Sequence, residues 1–237
     1  MITGLRKETF DNLLLDAGLF VVNLEYEDYT DAKQLIAALK ELAAQNKVVD
    51  GISKVAALLG ATIGGGTFQA TPTIRSVEVD GKRYEFKGSQ RNDGWTIQMT
   101  GTLKEITAGT LKTALVMADV EVKGNVKKVT LHTDIKETDY IESLIWVGDT
   151  SKGAALIDLK NALNTSGVSM TYTDKGEGTL PFTFVAHQDS VDDYDLAPVE
   201  IWFFENGAEA AAASAEPAET GEEPAAYDPE AETGETE

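Results

Sequence analysis

Along residues 93–103 apolar and polar side chains follow a period of two. Trp95, Ile97, Met99 and Leu103 fall on one side, and Thr96, Gln98, Thr100 and Thr102 on the other. That alternation predicts a strand with one buried and one wet face, and its place among other strand-like segments makes it the expected centre of a sheet. The wet face carries only hydroxyl and amide groups. Such a face suits a surface that lines something or touches another subunit, and it also suits an ordinary solvated sheet face.

On either side the period changes. Thr30 or Asp31 is positioned to cap a helix running to about Gln45, with Leu35, Ile36, Leu39 and Leu42 on one stripe. Asp50-Gly51 reads as a turn, and Ile52, Val55, Ala56 and Leu59 predict a short helix stopped at Gly60. At Gly64-Gly65-Gly66 the pattern switches from helical to alternating, which reads as a hinge between a loop and the sheet. Residues 68–79, with Pro72 marking an edge or bulge, are expected to turn at Asp80-Gly81 into a strand over 82–87, where Tyr84 and Phe86 alternate with charged residues. Thr107 then caps a predicted helix over 107–118, with Leu111, Leu115 and Ala118 on the side expected to lie across the sheet.

The second half predicts strands at 126–132, 141–147, 155–163, around Val168, Met170 and Tyr172, at 180–186, and at 199–204. The expected fold is mainly β: two packed antiparallel sheets, as a β-sandwich or flattened barrel, with a flanking α-helix. Its expected divisions are an N-terminal arm over 1–30, a helical and loop insertion over 31–66, the sandwich over 67–204, and an acidic tail over 205–237.

Composition narrows the chemistry. At 237 residues and 42% apolar content the chain buries one good core or at most two small ones. The apolar stretch 13–22 is broken by Asp16 and Gly18 and falls short of the roughly 20 residues of a membrane span, so a soluble protein is expected. With no Cys, thiolate catalysis and disulfides are excluded. The net charge is −20; 11 of the 40 acidic residues fall in 205–237, leaving 29 acids against 20 bases on residues 1–204. That Ala-, Glu- and Pro-rich tail offers no core and is expected to be disordered, either as an acidic brush or as an unselected extension. Near the other end, Leu13, Leu14, Leu15, Leu19, Phe20, Val21 and Val22 exceed what a small arm buries alone. They either pair with the main sheet or lean on a neighbouring molecule.

Several stretches in order resemble one protein family. They are Thr9-Phe10-Asp11-Asn12-Leu13-Leu14-Leu15-Asp16-Ala17-Gly18; Leu59-Gly60-Ala61-Thr62 with Gly64-Gly65-Gly66-Thr67-Phe68; Val77-Glu78-Val79-Asp80-Gly81; Asp139-Tyr140-Ile141 through Trp146-Val147-Gly148-Asp149; and Leu159-Lys160-Asn161-Ala162-Leu163-Asn164 with Asp174-Lys175-Gly176-Glu177-Gly178. Together they resemble the major tail tube proteins of long-tailed bacteriophages and prophages of Gram-positive bacteria, over roughly residues 4–204. The resemblance implies a virion structural protein whose protomers close into rings, commonly of six, that stack into a hollow tail tube. Its implied partners are further copies of itself, a tape-measure protein, the tail terminator and the baseplate or distal tail proteins, with DNA passing through transiently. It implies assembly in the bacterial cytoplasm, and no catalytic residue, cofactor or metal. Leu13, Leu14, Leu15, Phe20, Gly64, Gly65 and Gly66 are the expected assembly residues.

Catalytic signals are weak. His132 and His187 come with no Ser nucleophile motif, and Asp189, Asp192, Asp193 and Asp195 lack the Gly and closing Glu of a calcium loop. Gly64-Gly65-Gly66 has no following Gly-Lys-Ser/Thr, and Lys127-Lys128 is too small a patch for specific nucleic-acid binding on so acidic a chain. The alternative to a tube subunit is a carbohydrate- or protein-binding β-sandwich module with Trp146 or Trp202 as its contact.

Overall fold

The computed structural model describes residue 9 and residues 13–171, 174–190 and 196–206. In chain order its elements are β1 (Leu19–Val22), α1 (Ala32–Ala44), β2 (Ala57–Leu58), β3 (Thr62–Ser76), β4 (Gln90–Leu103), α2 (Ala108–Leu115), β5 (Ala118–Lys123), β6 (Val126–Leu131), a 3-10 turn at Glu137–Asp139, β7 (Ile141–Thr150), β8 (Gly153–Asn164), β9 (Leu180–Val185) and β10 (Val199–Glu205). The strands run β2-β1-β7-β8-β9-β4-β3, with β10 also on β8 and with β5 and β6 as a separate hairpin. All these pairings are antiparallel.

β8 belongs to two layers. Its residues from Gly153 to Leu159 pair with β10, while Leu163 and Asn164 pair with Val185 and Phe184 of β9. Between them Asn161 sits at φ +46, a left-handed conformation that Asn tolerates better than most residues. There the sheet folds over itself. Phe20, Leu144 and Leu159 of one layer then share a buried cluster with Ile97, Met99, Leu103, Phe182 and Phe184 of the other. The expected mainly-β, sandwich-like architecture is what forms.

Alternate residues of the first layer are buried on its other face. Val21, Ile145, Val147, Leu156 and Phe204 pack against Leu35, Leu39 and Leu42 of α1. Burial on both faces explains why β1 and residues 144–147 of β7 read as unbroken apolar runs. α1 begins where its cap predicts, with the Gln34 amide donating to Asp31 Oδ1 at 2.9 Å. Each leucine of its stripe contributes about 1.5–3 kcal/mol on burial.

The structure corrects several expectations. A second helix, α1, covers a sheet face, and α2 stops at Leu115, short of the predicted 118, where Val116 turns back at φ +66. Thr107 does cap α2, through a bond from the Thr110 amide at 3.1 Å, and the helix meets the main core through Ala114. Asn164 Nδ2 donates to its Ala114 carbonyl at 2.6 Å. Residues 52–59 form no helix: Ile52 and Val55 are exposed, and Ala57–Leu58 pairs with β1. Residues 82–87 form no strand either. β3 pairs directly with β4, and residues 77–89 make the tip between them. Val168 and Met170 lie outside any strand, while Tyr172 falls outside the described residues. The acidic tail also lies outside them, apart from Glu205, which ends β10, and Asn206. No described helix is long and apolar enough to cross a membrane.

Candidate assembly surface

The arm residues divide between surface and core. The Leu15 amide donates to the Asp149 carbonyl at 3.0 Å, and the Ser151 amide to the Leu13 carbonyl at 3.2 Å, so the arm backbone is tied to the end of β7. Its side chains stay in water: Leu14 is 58% and Leu15 57% exposed. Phe20 differs. It is 3% exposed and meets Phe182 edge-to-face, so its apolar surface is spent inside the protomer and it is not available to a neighbour. Leu14 closes an apolar cleft of about 150 Å³ with Phe68, Met99, Trp146 and Ile157. The arm crosses Trp146 closely, with the indole N–H donating to the Ala17 carbonyl at 3.0 Å. At Gly18, φ +71, a Cβ would lie 2.4 Å from the indole nitrogen.

Gly64, Gly65 and Gly66 lie within β3, so they do not precede it as a hinge. Gly64 and Gly65 take φ +78 and +73, and the register with β4 shifts between Thr62 and Gly66. This is a bulge, where glycine permits the backbone a conformation costly to other residues. At Gly66 a Cβ would sit 2.5 Å from the Thr100 carbonyl oxygen, so close approach to β4 fixes the third glycine.

β3 and β4 together form a long and largely exposed ribbon. β9 pairs with β4 from Gln98 to Leu103, and the Ala186 amide just beyond it donates to the Ile97 carbonyl at 2.9 Å, which leaves residues 90–96 joined to β3 alone. Seven residues at about 3.3 Å each make a two-stranded ribbon of about 23 Å. Trp95, expected on the buried face, is 52% exposed because the ribbon overruns the core. Ile74 on the same ribbon is exposed as well. β3 is the last strand of the order, so its outer edge has no partner among the described strands. The face away from the core is neutral: Thr67, Gln69 and Thr71 stand opposite Thr100, Gln98 and Thr96. Gln98 Nε2 donates to Gln69 Oε1 at 2.9 Å, so this amide and hydroxyl surface is ordered.

A second apolar row crosses the first layer. Trp146, Ile157 and Ile201 are register partners on β7, β8 and β10. Beside them Phe203 is 74% exposed. Trp202 turns to the opposite face, donates to Glu200 at 3.0 Å and stacks on Phe204.

A buried polar network, absent from the sequence reading, anchors the face opposite. Asp158 is fully buried and accepts from Tyr26 Oη at 2.8 Å and Ser143 Oγ at 2.7 Å, with Lys160 Nζ at 2.7 Å. Tyr26 also reaches Glu200 at 3.0 Å. Burial, then the charge and hydrogen bond of Asp158, push the Tyr26 hydroxyl well above its ordinary range. Burial pulls Lys160 down, but its hydrogen bond to Asp158 and the nearby carboxylates outweigh that and raise it. Every charge in the network has a partner, as a structural role requires.

The histidines are likewise held locally. His132 Nδ1 lies 2.8 Å from the Asp134 carbonyl and Nε2 3.4 Å from Asp139, while His187 Nδ1 lies 3.2 Å from the Asn161 carbonyl. Of the acidic run near residue 190 only Asp189 is described. Among the described residues no group of three or more His, Asp or Glu is arranged to hold a metal ion. No protein-family model matches the chain, and no curated protein matches it significantly.

Proposed function

We propose that this chain is a self-assembling tube subunit, a virion structural protein of the tail-tube type, whose copies close into rings and stack around a channel. The observation that carries the reading is the β3–β4 ribbon. A two-stranded hairpin is marginal in water by itself, and a long edge strand invites pairing with another chain along the stretches that Pro72 and the two register shifts leave regular. The ribbon itself exposes Trp95 and Ile74, and Leu14 and Leu15 on the arm and Phe203 on β10 are exposed as well. Ring closure satisfies the edge and covers the apolar groups at once.

In this reading the neutral Thr and Gln face of β3 and β4 forms the channel wall. Along Thr67–Thr71 and Thr96–Thr100 DNA and the tape-measure protein meet no cation that would hold them, and Arg75 further out is already paired with Asp93 at 2.9 Å. The acidic remainder of the chain repels DNA further. The tail terminator and the baseplate or distal tail proteins are then the partners at the tube's ends, and the virion tail is its location, after assembly in the host cytoplasm.

The competing reading, a carbohydrate- or protein-binding module, has less support from the side chains. The indole N–H groups of Trp146 and Trp202 are already donated to Ala17 and Glu200. Sedimentation velocity of the purified chain separates the two. A tube subunit gives discrete multimers that grow with concentration, and a binding module stays at the 25.5 kDa monomer.

A further inference from the structure

We propose that the tip of the β3–β4 ribbon docks into an acidic cleft on a second copy of this chain, the cleft between residues 23–29, the start of β7 and the middle of β8. The inference deepens the tube reading and rests on its premise that the partner is another copy.

The tip, residues 77–89, is built internally. Lys82 lies almost fully buried within it, with Nζ donating to the Val77 carbonyl at 3.2 Å and pairing with Glu85 at 2.9 Å. The Ser76 hydroxyl donates to Glu85 at 2.8 Å, and the Val77 amide to the Ser89 carbonyl at 2.8 Å. Such a scaffold is preorganised, so docking it costs less ordering entropy than docking a loose loop. What it presents is apolar and cationic. Tyr84 is 78% exposed and Phe86 is exposed beside it, while Arg83 and Lys87 form no ion pair among the described residues. Residues 82–91 hold four bases and one acid in a chain whose net charge is −20.

The cleft has the opposite character. It is about 630 Å³, lined by Glu25, Glu27, Asp28, Tyr29 and Glu142 over the buried Asp158. Its two lysines are already engaged, Lys54 with Glu142 at 2.5 Å and Lys160 with Asp158 at 2.7 Å. Glu25, Glu27 and Asp28 have no ion pair among the described residues, so an unbalanced negative charge faces water. Tyr29 supplies an aromatic surface beside it, of the kind on which a cation or a second ring packs. No tip residue lines the cleft of its own chain.

Two copies this acidic repel each other in most orientations. Tip to cleft is an approach that sets positive on negative while covering Tyr84 and Phe86. Because the two patches differ, the contact is head-to-tail, and repeated copies build a ring or an open chain.

Charge reversal on each side, with the two variants then mixed, tests this. In Arg83→Glu/Lys87→Glu and in Glu25→Lys/Glu27→Lys, tip and cleft carry the same sign, and all four residues are exposed, so the fold, checked by circular dichroism, is kept. Each variant alone is expected to need about tenfold or more higher concentration to associate in sedimentation velocity at low salt. An equimolar mixture is expected to regain wild-type association, since each reversed patch then meets its complement. Unchanged association of either variant, or a mixture that stays monomeric, overturns the docking and leaves the tube reading standing if the wild type assembles. A wild type that is monomeric at every concentration and salt overturns both.

Discussion

The rings of Phe20 and Phe182 meet edge-to-face, centroids 5.2 Å apart and 89° between planes, and this pair joins the two layers of the sandwich. Edge-to-face geometry suits the ring quadrupoles and adds to the apolar area buried. Phe20→Ala is expected to destabilise the protomer by about 3–5 kcal/mol, measured as a lower urea midpoint with an unchanged slope. A loss below about 1 kcal/mol would place Phe20 on the surface instead.

Leu14 and Leu15 should behave in the opposite way. Their backbone is paired with β7 while their side chains face water. Leu14→Asp/Leu15→Asp is therefore expected to change protomer stability by no more than about 1 kcal/mol. Strand content by circular dichroism should stay constant while multimers disappear. Unfolding of the double variant would assign both leucines to the protomer core.

The three glycines of β3 give a third test. Gly66→Ala must push the Thr100 carbonyl aside, since the added carbon would lie 2.5 Å from it. The expected cost is about 1–3 kcal/mol in urea unfolding. Gly64→Ala meets open space but carries φ +78, so its cost is backbone strain, about 1–2 kcal/mol. A neutral Gly66→Ala would restore the hinge reading.

The pH dependence follows from the Tyr26 network. Tyr26 and Lys160 hold their protons more tightly when folded, above their ordinary values of 10.0 and 10.5. Their contribution is complete below about pH 10 and is lost as pH rises further. Glu200 runs the other way. Burial acts to raise it, but the bonds from Trp202 and Tyr26 and the Lys160 charge outweigh burial and hold it below 4.5. Its contribution is present above that value and lost as pH falls through the folded one. The urea midpoint is expected to decline beyond about pH 10 and below about pH 4.5, with a shallower alkaline decline in Tyr26→Phe. An identical alkaline decline in that variant would contradict the account.

What the sequence made legible was local. α1 is written in the Asp31 cap and the Leu35, Leu39 and Leu42 spacing, and the inner half of β4 in the alternation of Ile97 and Met99. β5 is harder to read: Val120 and Val122 alternate over only six residues directly after a helix, and most of that strand is wet. Trp95 fits the buried period and is nonetheless exposed, because periodicity does not tell where the opposing layer ends. The Asp158 network was out of reach for another reason. Tyr26 lies 132 residues from Asp158 and 174 from Glu200, and no local pattern joins them. Exposure of the Leu14 and Leu15 side chains likewise depends on where β7 ends, and the sequence alone left arm-to-sheet and arm-to-neighbour pairing equally open.

Negative-stain imaging of the purified full-length chain tests the central claim most directly. The account predicts rings of uniform diameter with a central hole, or tubes of stacked rings, forming as concentration rises. A field of compact single particles at every concentration and salt would contradict it.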